Sequence, residues 1–290
     1  MKKVLVMGGN HFFGIKLVQV LLDHGHDVTI LNRGNLDDGF GERVKRIKCD
    51  RHNYEQLNQA IDENFDIVFD QSCFDYDQAQ IACEIFNGRV SKYIFTSSIS
   101  AYNELGANIK EELFDPYTFK FSKKETMTSN YGEAKRQAEV SFFKHGKFPV
   151  TAVRFPIVLD AKDATERLQF HVNRIKNKEE IFFPNIEARM SFISADDAAK
   201  ALYALALNDY EGPINVASSD PISLKDFVEL IEKKTGEKII KADNGDSHNQ
   251  SPYGIPDDWY VDCSKLESLG IKTQSIKDYL PKMIEEIVNE

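Results

Sequence analysis

The chain alternates short apolar segments with longer stretches in which apolar residues recur at helical spacing. An apolar run at residues 3–7, a helix-period stretch at 12–24 and a second apolar run at 27–31 predict a strand, a helix and a strand. The same order continues through strands predicted at 44–49, 65–69, 92–96 and 149–155 and helices predicted at 53–63, 75–86 and 129–145. This alternation predicts an α/β fold with a doubly wound, mostly parallel sheet that helices cover on both faces.

The pattern becomes less regular after Arg154, and the later helices are predicted at residues 164–176, 195–208, 223–235 and 275–289. We therefore predict one domain at residues 1–155, which residues 190–210 rejoin, and a smaller mixed α/β lobe at residues 156–290. Two irregular stretches, 103–128 and 243–258, interrupt the pattern. Long irregular connections in compact domains often form lids, so we expect these two over the functional site.

Composition restricts the partners and the compartment of the chain. With 36 basic and 46 acidic side chains the net charge is −10, which argues against nucleic acid as the main partner. The longest uncharged apolar stretch, residues 201–207, is far shorter than the roughly 20 residues that span a bilayer, so no membrane partner is predicted. The apolar run at residues 4–7 is also too short for a secretory signal. No C-x-x-C pair occurs, which indicates reduced thiols and a cytoplasmic protein; the cysteines are Cys49, Cys73, Cys83 and Cys263.

A glycine-rich turn joins the first predicted strand to the first predicted helix, with the sequence Gly8-Gly9-Asn10-His11-Phe12-Phe13-Gly14. At such a turn the pyrophosphate of a dinucleotide can rest on exposed amides and on the positive end of the helix. Gly8 allows the tight turn and Gly14 allows close packing of helix on strand, although many strand-to-helix turns need glycine for backbone geometry alone. His11 stands where most turns of this spacing have their middle glycine, and we hypothesise that it donates a hydrogen bond to the phosphate.

The end of the second predicted strand indicates which dinucleotide is bound. An acidic residue there would bind the ribose 2′-hydroxyl group of NAD, whereas Asn32 and Arg33 favour a 2′-phosphate and therefore NADP, with NAD as the alternative. A solvated loop arginine is the less favoured alternative for Arg33, whereas Asp50 is equally consistent with an acceptor for the adenine amino group and with a polar loop residue. The predicted cofactor contacts are Gly8, Gly9, Asn10, His11, Phe12, Phe13, Gly14, Asn32, Arg33, Asp50, Gln71, Ser72, Tyr131 and Lys135.

Tyr131 and Lys135 are four residues apart and would share one face of a helix. This spacing is common by chance, so the position of the pair in the fold is the stronger evidence. Tyr131 and Lys135 lie at the start of the helix before the sixth strand. Ser98 lies at the carboxyl end of the fifth strand, the edge at which open α/β sheets have their active sites. Hydride transfer at a carbon that bears oxygen requires proton transfer at that oxygen, which Tyr131 can perform while the Lys135 ammonium favours the phenolate. Ser98 would hold the substrate oxygen. The structural alternative is a buried serine and an amphipathic helix.

Six segments in this order resemble an extended short-chain dehydrogenase/reductase of the NAD-dependent epimerase/dehydratase family. They are residues 8–14, residues 97–102, Tyr131-x-x-x-Lys135, residues 153–158, residues 191–199, and residues 215–219 with Ser223-Leu224. The resemblance implies a Rossmann domain for the cofactor, a smaller C-terminal lobe for a substrate such as a sugar nucleotide or a related alcohol, and a homodimer. It also implies the same roles for Ser98, Tyr131 and Lys135. No metal site is predicted, because the cysteines form no cluster with histidine and no third ligand accompanies His24 and His26.

The chain departs from the family pattern at several positions. His11 replaces the middle glycine, Leu159-Asp160 stands where the family often has Tyr-Gly, and Arg189 lies one position from the arginine that usually contacts a nucleotide sugar. Ile99 and Ser100 follow Ser98, where dehydratases of the family have acidic residues. Elimination of water is therefore disfavoured.

Two classes of function remain open at the level of the sequence. The first is an NAD(P)-dependent oxidoreductase or epimerase; reduction and epimerisation need the same residues and are not separated here. The second is a cofactor-binding regulator or an RNA-associated relative without turnover. A small basic patch at Lys120, Lys123 and Lys124 would suit the second class, but such a patch is also typical of a solvated face.

Overall fold

The computed structural model describes residues 1–289. Its strands are β1 (Lys3–Met7), β2 (Asp27–Asn32), β3 (Lys45–Lys48), β4 (Phe65–Asp70), β5 (Val90–Ser98), β6 (Gly106–Ile109), β7 (Val150–Phe155), β8 (Ile157–Leu159), β9 (Glu180–Ile181), β10 (Arg189–Met190), β11 (Phe192–Ser194), β12 (Gly212–Asn215), β13 (Ile222–Ser223), β14 (Ile240–Lys241) and β15 (Trp259–Val261). Its α-helices are α1 (Phe13–Asp23), α2 (Tyr54–Ala60), α3 (Tyr76–Phe86), α4 (Tyr131–His145), α5 (Arg167–Lys176), α6 (Ala195–Ala206), α7 (Leu224–Thr235), α8 (Ser264–Ser268) and α9 (Ile276–Asn289). Short 3-10 turns lie at Gly41–Arg43, Ile99–Tyr102 and Glu111–Leu113.

A seven-stranded parallel sheet forms the first layer of the fold, in the order β3-β2-β1-β4-β5-β7-β12. The central strands are apolar and buried on both faces, as expected for a sheet between two layers of helices. The direction of strand addition reverses between β1 and β4, so a crevice opens where their carboxyl ends diverge. The predicted doubly wound Rossmann fold is therefore confirmed.

The helices begin and end close to the predicted positions because their N-terminal caps are local. Asn53, Asp75 and Asn130 each accept a hydrogen bond from the backbone amide three residues later. The predicted helix at residues 53–63 is too long, since α2 ends at Ala60. The next residue, Ile61, takes an extended conformation with φ −94° and ψ 90°, which is incompatible with another helical turn.

The smaller lobe packs α5, α7 and α9 around an apolar cluster and adds the four-stranded sheet β13-β10-β15-β6. Part of the C-terminal sequence returns to the first layer: α6 packs on α1, and β12 pairs with β7 at the edge of the main sheet. The boundary predicted at residue 155 remains a prediction. Within residues 1–289, no helix is long and apolar enough to cross a bilayer.

The first irregular stretch lies beside a helix, and the second lies beside a short strand. Residues 103–128 run along α4, where the Tyr117 ring contacts Phe143 at a centroid distance of 4.7 Å. Residues 243–258 lie against β9 and the residue that follows it, through a β-bridge between Phe182 and Gln250.

The four cysteines are free thiols, and burial raises the pKa of Cys73 to about 12.

Candidate active site

The glycine turn has the geometry that its sequence predicts. Gly8 has a φ of +102°, which only glycine adopts without strain. A Cβ atom on Gly9 would lie 2.8 Å from both Val6 and Val18, so this glycine allows α1 to pack on β1. A Cβ atom on Gly14 would overlap the Gln71 side chain and would lie 3.2 Å from Gly9 Cα. Close packing at this turn therefore depends on both Gly9 and Gly14.

Three consecutive amides at the turn are free to bind an anion. Within residues 1–289, the backbone amides of His11, Phe12 and Phe13 have no hydrogen-bond acceptor. Phe12 has a φ of 51° and a ψ of −136°, a conformation that is strained for any residue except glycine and that turns the chain sharply before α1. The side chains diverge at this point, and His11 and Phe12 line different cavities.

The first of these, which we call the cofactor cavity, has a volume of about 330 Å³ and lies at the carboxyl ends of β1, β2, β3 and β4. Half of its lining was predicted from the sequence, namely Gly8, Asn10, His11, Asn32, Arg33, Asp50 and Ser72. Its other lining residues are Leu31, Asn35, Leu36, Cys49, Arg51, His52 and Phe74. The Asn32 side chain accepts a hydrogen bond from the Gly34 amide at 2.6 Å, which fixes the turn that carries Arg33.

A buried ion pair supports the floor of the cofactor cavity. Arg51 Nη1 lies 2.8 Å from Asp70 Oδ1, and both side chains are almost fully buried. Although burial disfavours the charged guanidinium, Asp70 raises the pKa of Arg51 and keeps it ionised. Asp70 also accepts hydrogen bonds from the Ser72 amide and from the Tyr93 hydroxyl group at 3.1 and 2.7 Å. The pair thereby holds the loops after β3 and β4 in place.

The second cavity, which we call the reaction cavity, has a volume of about 250 Å³. It lies on the other side of the glycine turn and brings Ser98 and Tyr131 together. Among residues 1–289, its lining is Phe12, Phe13, Thr96, Ser97, Ser98, Ile99, Ser100, Tyr131, Phe155, Pro156, Ile157, Val158, Arg167 and Trp259. None of these residues comes from 103–128 or 243–258, so the two stretches expected to be lids do not line this cavity.

Ser98 and Tyr131 each keep a hydroxyl group available for a ligand. Ser98 Oγ accepts a hydrogen bond from the Ser100 amide at 3.1 Å, and its own O–H has no acceptor within residues 1–289. Tyr131 is the first residue of α4 and is 39% exposed. The next residue must be glycine, since a Cβ atom on Gly132 would lie 2.6 Å from the Ser100 carbonyl oxygen. This contact sets the start of α4 directly against the turn that follows Ser98.

Lys135 anchors α4 to the sheet from below. It is 2% exposed, and its Nζ atom donates to the carbonyl oxygens of Cys73 at 2.6 Å and Thr96 at 2.8 Å. The ammonium lies 6.0 Å from the centre of the Tyr131 ring. Two of its three N–H groups are therefore held by backbone carbonyls, and its positive charge is fixed beneath the phenol.

One turn further along α4, a buried ion pair also attaches this helix to the main sheet. Arg154 donates to both carboxylate oxygens of Glu139, at 3.0 and 2.6 Å, and both side chains are fully buried. Glu139 raises the pKa of Arg154 against the effect of burial. Ser97 donates to the same carboxylate, and Arg154 also donates to the Tyr102 hydroxyl group at 3.1 Å. Side chains of α4 thus bind β5 and β7 at consecutive turns, which limits movement of Tyr131 relative to Ser98.

Some predicted residues lie outside both cavities, and two important residues were not predicted. Gly9, Gly14, Gln71 and Lys135 line neither cavity, although the Gln71 side chain lies against the turn. The two residues that were missed are Arg167, the first residue of α5, and Trp259 in β15. No local motif marks them, because they reach the cavity only through packing of the smaller lobe.

The residues that line the two cavities, and those beside the turn between them, suit a bound dinucleotide. Two cavities lie on opposite sides of a turn that has three free amides. Gln71 Nε2 is buried beside the turn and lacks a hydrogen-bond partner within residues 1–289. Arg33 adds a cation to the cofactor cavity, where an additional phosphate would be neutralised.

Comparison with known proteins agrees with this geometry. The model of the NAD dependent epimerase/dehydratase family matches residues 4–75, which contain the glycine turn and the first four strands. UDP-glucuronic acid decarboxylase 1 of Xenopus tropicalis is 23% identical over 81% of this chain and 61% of its own length. A chloroplast stem-loop binding protein of 41 kDa from Arabidopsis thaliana is 28% identical over 43% of this chain and 37% of its own length. The chain thus spans less than two thirds of these relatives.

Solved structures show the same fold over nearly the whole chain. The UDP-glucuronic acid 4-epimerase of Bacillus cereus, solved in complex with NAD, superposes with a TM-score of 0.75 at 18% identity, covering 99% of this chain and 96% of that one. The family match confirms the predicted resemblance over residues 4–75, and the solved structure confirms the fold of the chain.

Proposed function

We propose that this chain is an NAD(P)-dependent oxidoreductase or epimerase. Its residues 4–75 match the model of the NAD dependent epimerase/dehydratase family. Its substrate would be a secondary alcohol or ketone of a nucleotide-linked sugar or a similar small molecule. One observation carries the proposal: Ser98 and Tyr131 share the reaction cavity, directly across the glycine turn from the cofactor cavity. This proximity supports proton transfer by the two hydroxyl groups next to a nicotinamide ring bound across the turn.

The residues of the chain divide the chemistry among them. Ser98 donates a hydrogen bond to the substrate oxygen, because its O–H is not used within the protein. Tyr131 takes a proton from that oxygen or returns one, and the fixed ammonium of Lys135 stabilises the phenolate. A bound nicotinamide would supply the hydride acceptor or donor. The aromatic walls formed by Phe12, Phe13 and Phe155 would exclude water from the reacting carbon.

NADP is the cofactor that the cofactor cavity favours. Arg33 lines this cavity at the end of β2, and none of its lining residues presents a carboxylate at that strand end. An acidic residue there would repel a 2′-phosphate and bind a free ribose hydroxyl group instead. NAD remains the alternative cofactor, because the UDP-glucuronic acid 4-epimerase of Bacillus cereus was solved in complex with NAD.

Reduction and epimerisation need the same hydroxyl groups, so the outcome depends on product release. An epimerase retains the ketone and returns the hydride to its opposite face, whereas a reductase releases the product. Elimination of water is disfavoured, because Ile99 and Ser100 supply no carboxylate beside Ser98. The homodimer implied by the family resemblance also remains a prediction.

Identification of the bound nucleotide tests the proposal most directly. Protein purified without added cofactor is gently denatured, and the released nucleotides are identified by mass spectrometry; the apo protein is then titrated with NADPH and NADH. We expect NADPH to bind at least tenfold more tightly, which is about 1.4 kcal/mol. Binding of neither nucleotide would refute the proposal, and tighter binding of NADH would correct the cofactor alone.

A substrate panel then separates the two reactions. Turnover of a sugar nucleotide without net redox change indicates epimerisation, whereas stoichiometric loss of NADPH indicates reduction. Ser98→Ala should reduce either activity by about 10²-fold while cofactor binding persists, because one hydrogen bond to the reacting oxygen is lost. Cofactor binding without any turnover, together with a gel shift by RNA, would favour a regulator instead. The basic patch gives that reading little support, since Lys123 and Lys124 pair with Glu125 and Asp77.

A further inference from the structure

Arg167 is the single cationic side chain among the residues that line the reaction cavity. Its Nε atom donates to Thr165 Oγ1 at 2.9 Å, and its Nη2 atom lies 3.6 Å from Asp163 Oδ2. Within residues 1–289, Nη1 has no hydrogen-bond partner, and the side chain is 32% exposed. The guanidinium is therefore oriented by its neighbours while most of its N–H donors remain free for a ligand.

Arg189, which lies one position from the usual nucleotide-sugar arginine, is held differently. Its guanidinium donates twice to Asp258 Oδ2, at 3.1 and 2.6 Å, and its backbone amide donates to Oδ1 of the same carboxylate. The Tyr260 ring stacks on it at 4.7 Å, and Asp258 raises the pKa of Arg189. Arg189 does not line the reaction cavity. Its guanidinium is thus paired with a carboxylate of the protein and lies outside this cavity.

The size and lining of the reaction cavity restrict what can enter. Its volume of about 250 Å³ lies below the roughly 300–1,000 Å³ of pockets that enclose drug-sized ligands, and a nicotinamide ring would occupy part of it. Phe12, Phe13, Phe155 and Trp259 form the aromatic part of its wall. The indole Nε1 of Trp259 is buried and has no hydrogen-bond acceptor within residues 1–289. A single guanidinium in a cavity of this size suits one anionic group rather than the two phosphates of a nucleoside diphosphate.

We propose that the reaction cavity takes a compact substrate with a single anionic group, a carboxylate or a phosphate monoester, and that Arg167 binds this group. Arg167 is thereby the residue that determines substrate class. The inference rests on the proposed oxidoreductase function, because it assumes that the reacting carbon lies between Ser98 and Tyr131. It narrows the substrate from nucleotide-linked sugars to sugar acids, sugar monophosphates and comparable hydroxy acids.

Calorimetry on the protein saturated with NADP tests this inference with four probes. Glucose is the neutral reference, glucuronate carries a carboxylate, glucose 1-phosphate carries a phosphate monoester, and UDP-glucose carries a nucleoside diphosphate. We expect one compact anion to bind at least tenfold more tightly than glucose and at least as tightly as UDP-glucose. Whether glucuronate or glucose 1-phosphate binds more tightly identifies the anionic group.

Two arginine variants provide the matched comparison. Arg167→Gln should bring the Kd of the preferred anion to within about twofold of that of glucose, and Arg167→Lys should keep part of the preference because the charge persists. Arg189→Gln should bind the anion like the unmodified protein, since its charge is already paired with Asp258. Tightest binding of UDP-glucose, an unchanged Kd in Arg167→Gln, or no binding of either compact anion would each overturn the inference.

The affinity for NADP, measured first on every variant, separates the proposed function from the substrate class. If the unmodified protein does not bind the cofactor, the proposed function itself is refuted. Normal cofactor binding with a preference for UDP-glucose would overturn the substrate class and leave the proposed function intact.

Discussion

The cofactor cavity and the reaction cavity are neighbours, but they are assembled in different ways. The cofactor cavity takes its lining from the end of β2 and from the four loops that follow β1, β2, β3 and β4. The reaction cavity draws on residues as far apart as Phe12 and Trp259. A site made by successive loops of one sheet can be read from a local motif, whereas a site made by the packing of two lobes cannot. The two cavities should therefore respond differently to local and to distant changes.

Tyr131→Phe should give the largest effect and should separate chemistry from cofactor binding. Removal of the phenolic hydroxyl group deletes the proton-transfer group, so kcat should fall by about 10²–10⁴-fold. The Kd of NADPH, measured by fluorescence titration, should remain within about twofold. Tyr54 is also 39% exposed and also begins a helix, which makes Tyr54→Phe a matched control with unchanged kcat. Equal activities of the two variants would remove Tyr131 from the mechanism.

Gly132→Ala should disturb the reaction cavity through the backbone alone. The added methyl group would lie 2.6 Å from the Ser100 carbonyl oxygen, so the start of α4 must move away from Ser98. We expect a loss of about 1–3 kcal/mol in the free energy of unfolding and a fall in kcat that exceeds any change in cofactor affinity. In Gly106→Ala the new methyl group would meet only Ile109 side-chain atoms, at 3.4 Å and beyond, and both properties should persist. A normal kcat in Gly132→Ala would show that the position of Tyr131 tolerates this shift.

His171 should make the smaller lobe sensitive to acid. Burial lowers the pKa of this histidine to about 3, and its ring bonds the Arg167 carbonyl and Ser251 Oγ, each at 2.7 Å. The unfolded chain binds this proton near pH 6.5 and the folded chain does not, so stability is complete above that pH and decreases as the pH falls towards 3. Between pH 7 and 5 the loss should be about 2 kcal/mol by urea unfolding.

The control for this effect is a substitution that cannot titrate. His171→Gln should be less stable at pH 7 but should show a shallower loss towards pH 5; His26 and His145, whose pKa values burial also lowers, supply the remaining slope. His248→Gln, at an exposed turn, should retain the original slope. Parallel pH profiles for the unmodified protein and His171→Gln would contradict the assignment.

His11→Glu should give the smallest of these effects and should be confined to the cofactor cavity. A carboxylate beside the three free amides would repel the pyrophosphate, so the Kd of NADPH should rise about tenfold while kcat at saturating cofactor changes little. His248→Glu adds the same charge at a remote exposed turn and should leave the Kd unchanged. An unchanged Kd in His11→Glu would dismiss the hypothesis that this side chain lies near the phosphate.

The sequence predicted those parts of the fold that local chemistry determines. Asn53, Asp75 and Asn130 mark the starts of three helices, and the spacing of Gly8 and Gly14 marks the turn. It did not predict β12, because a four-residue strand with Gly212 and Pro213 has little strand propensity and forms only as a partner of β7.

In the candidate site as well, the residues in local motifs were predicted and the residues brought in by tertiary packing were missed. Ser98, Tyr131 and Lys135 follow from helix spacing and from the end of one strand, so the sequence alone is enough to propose them. Arg167 and Trp259 enter through α5 and through the pairing of β15 with β10, which are tertiary events without a sequence motif. Substitution of each residue, with kcat and ligand affinity measured separately, tests the five roles.

The position of β12 has a consequence for synthesis of the protein. A nascent chain that has left the ribosome only as far as residue 155 exposes one edge of β7, and α1 lacks its neighbour α6. Unpaired strand edges of this kind invite association between chains. This edge of β7 stays unpaired until residues 212–215 have emerged and β12 can join the sheet.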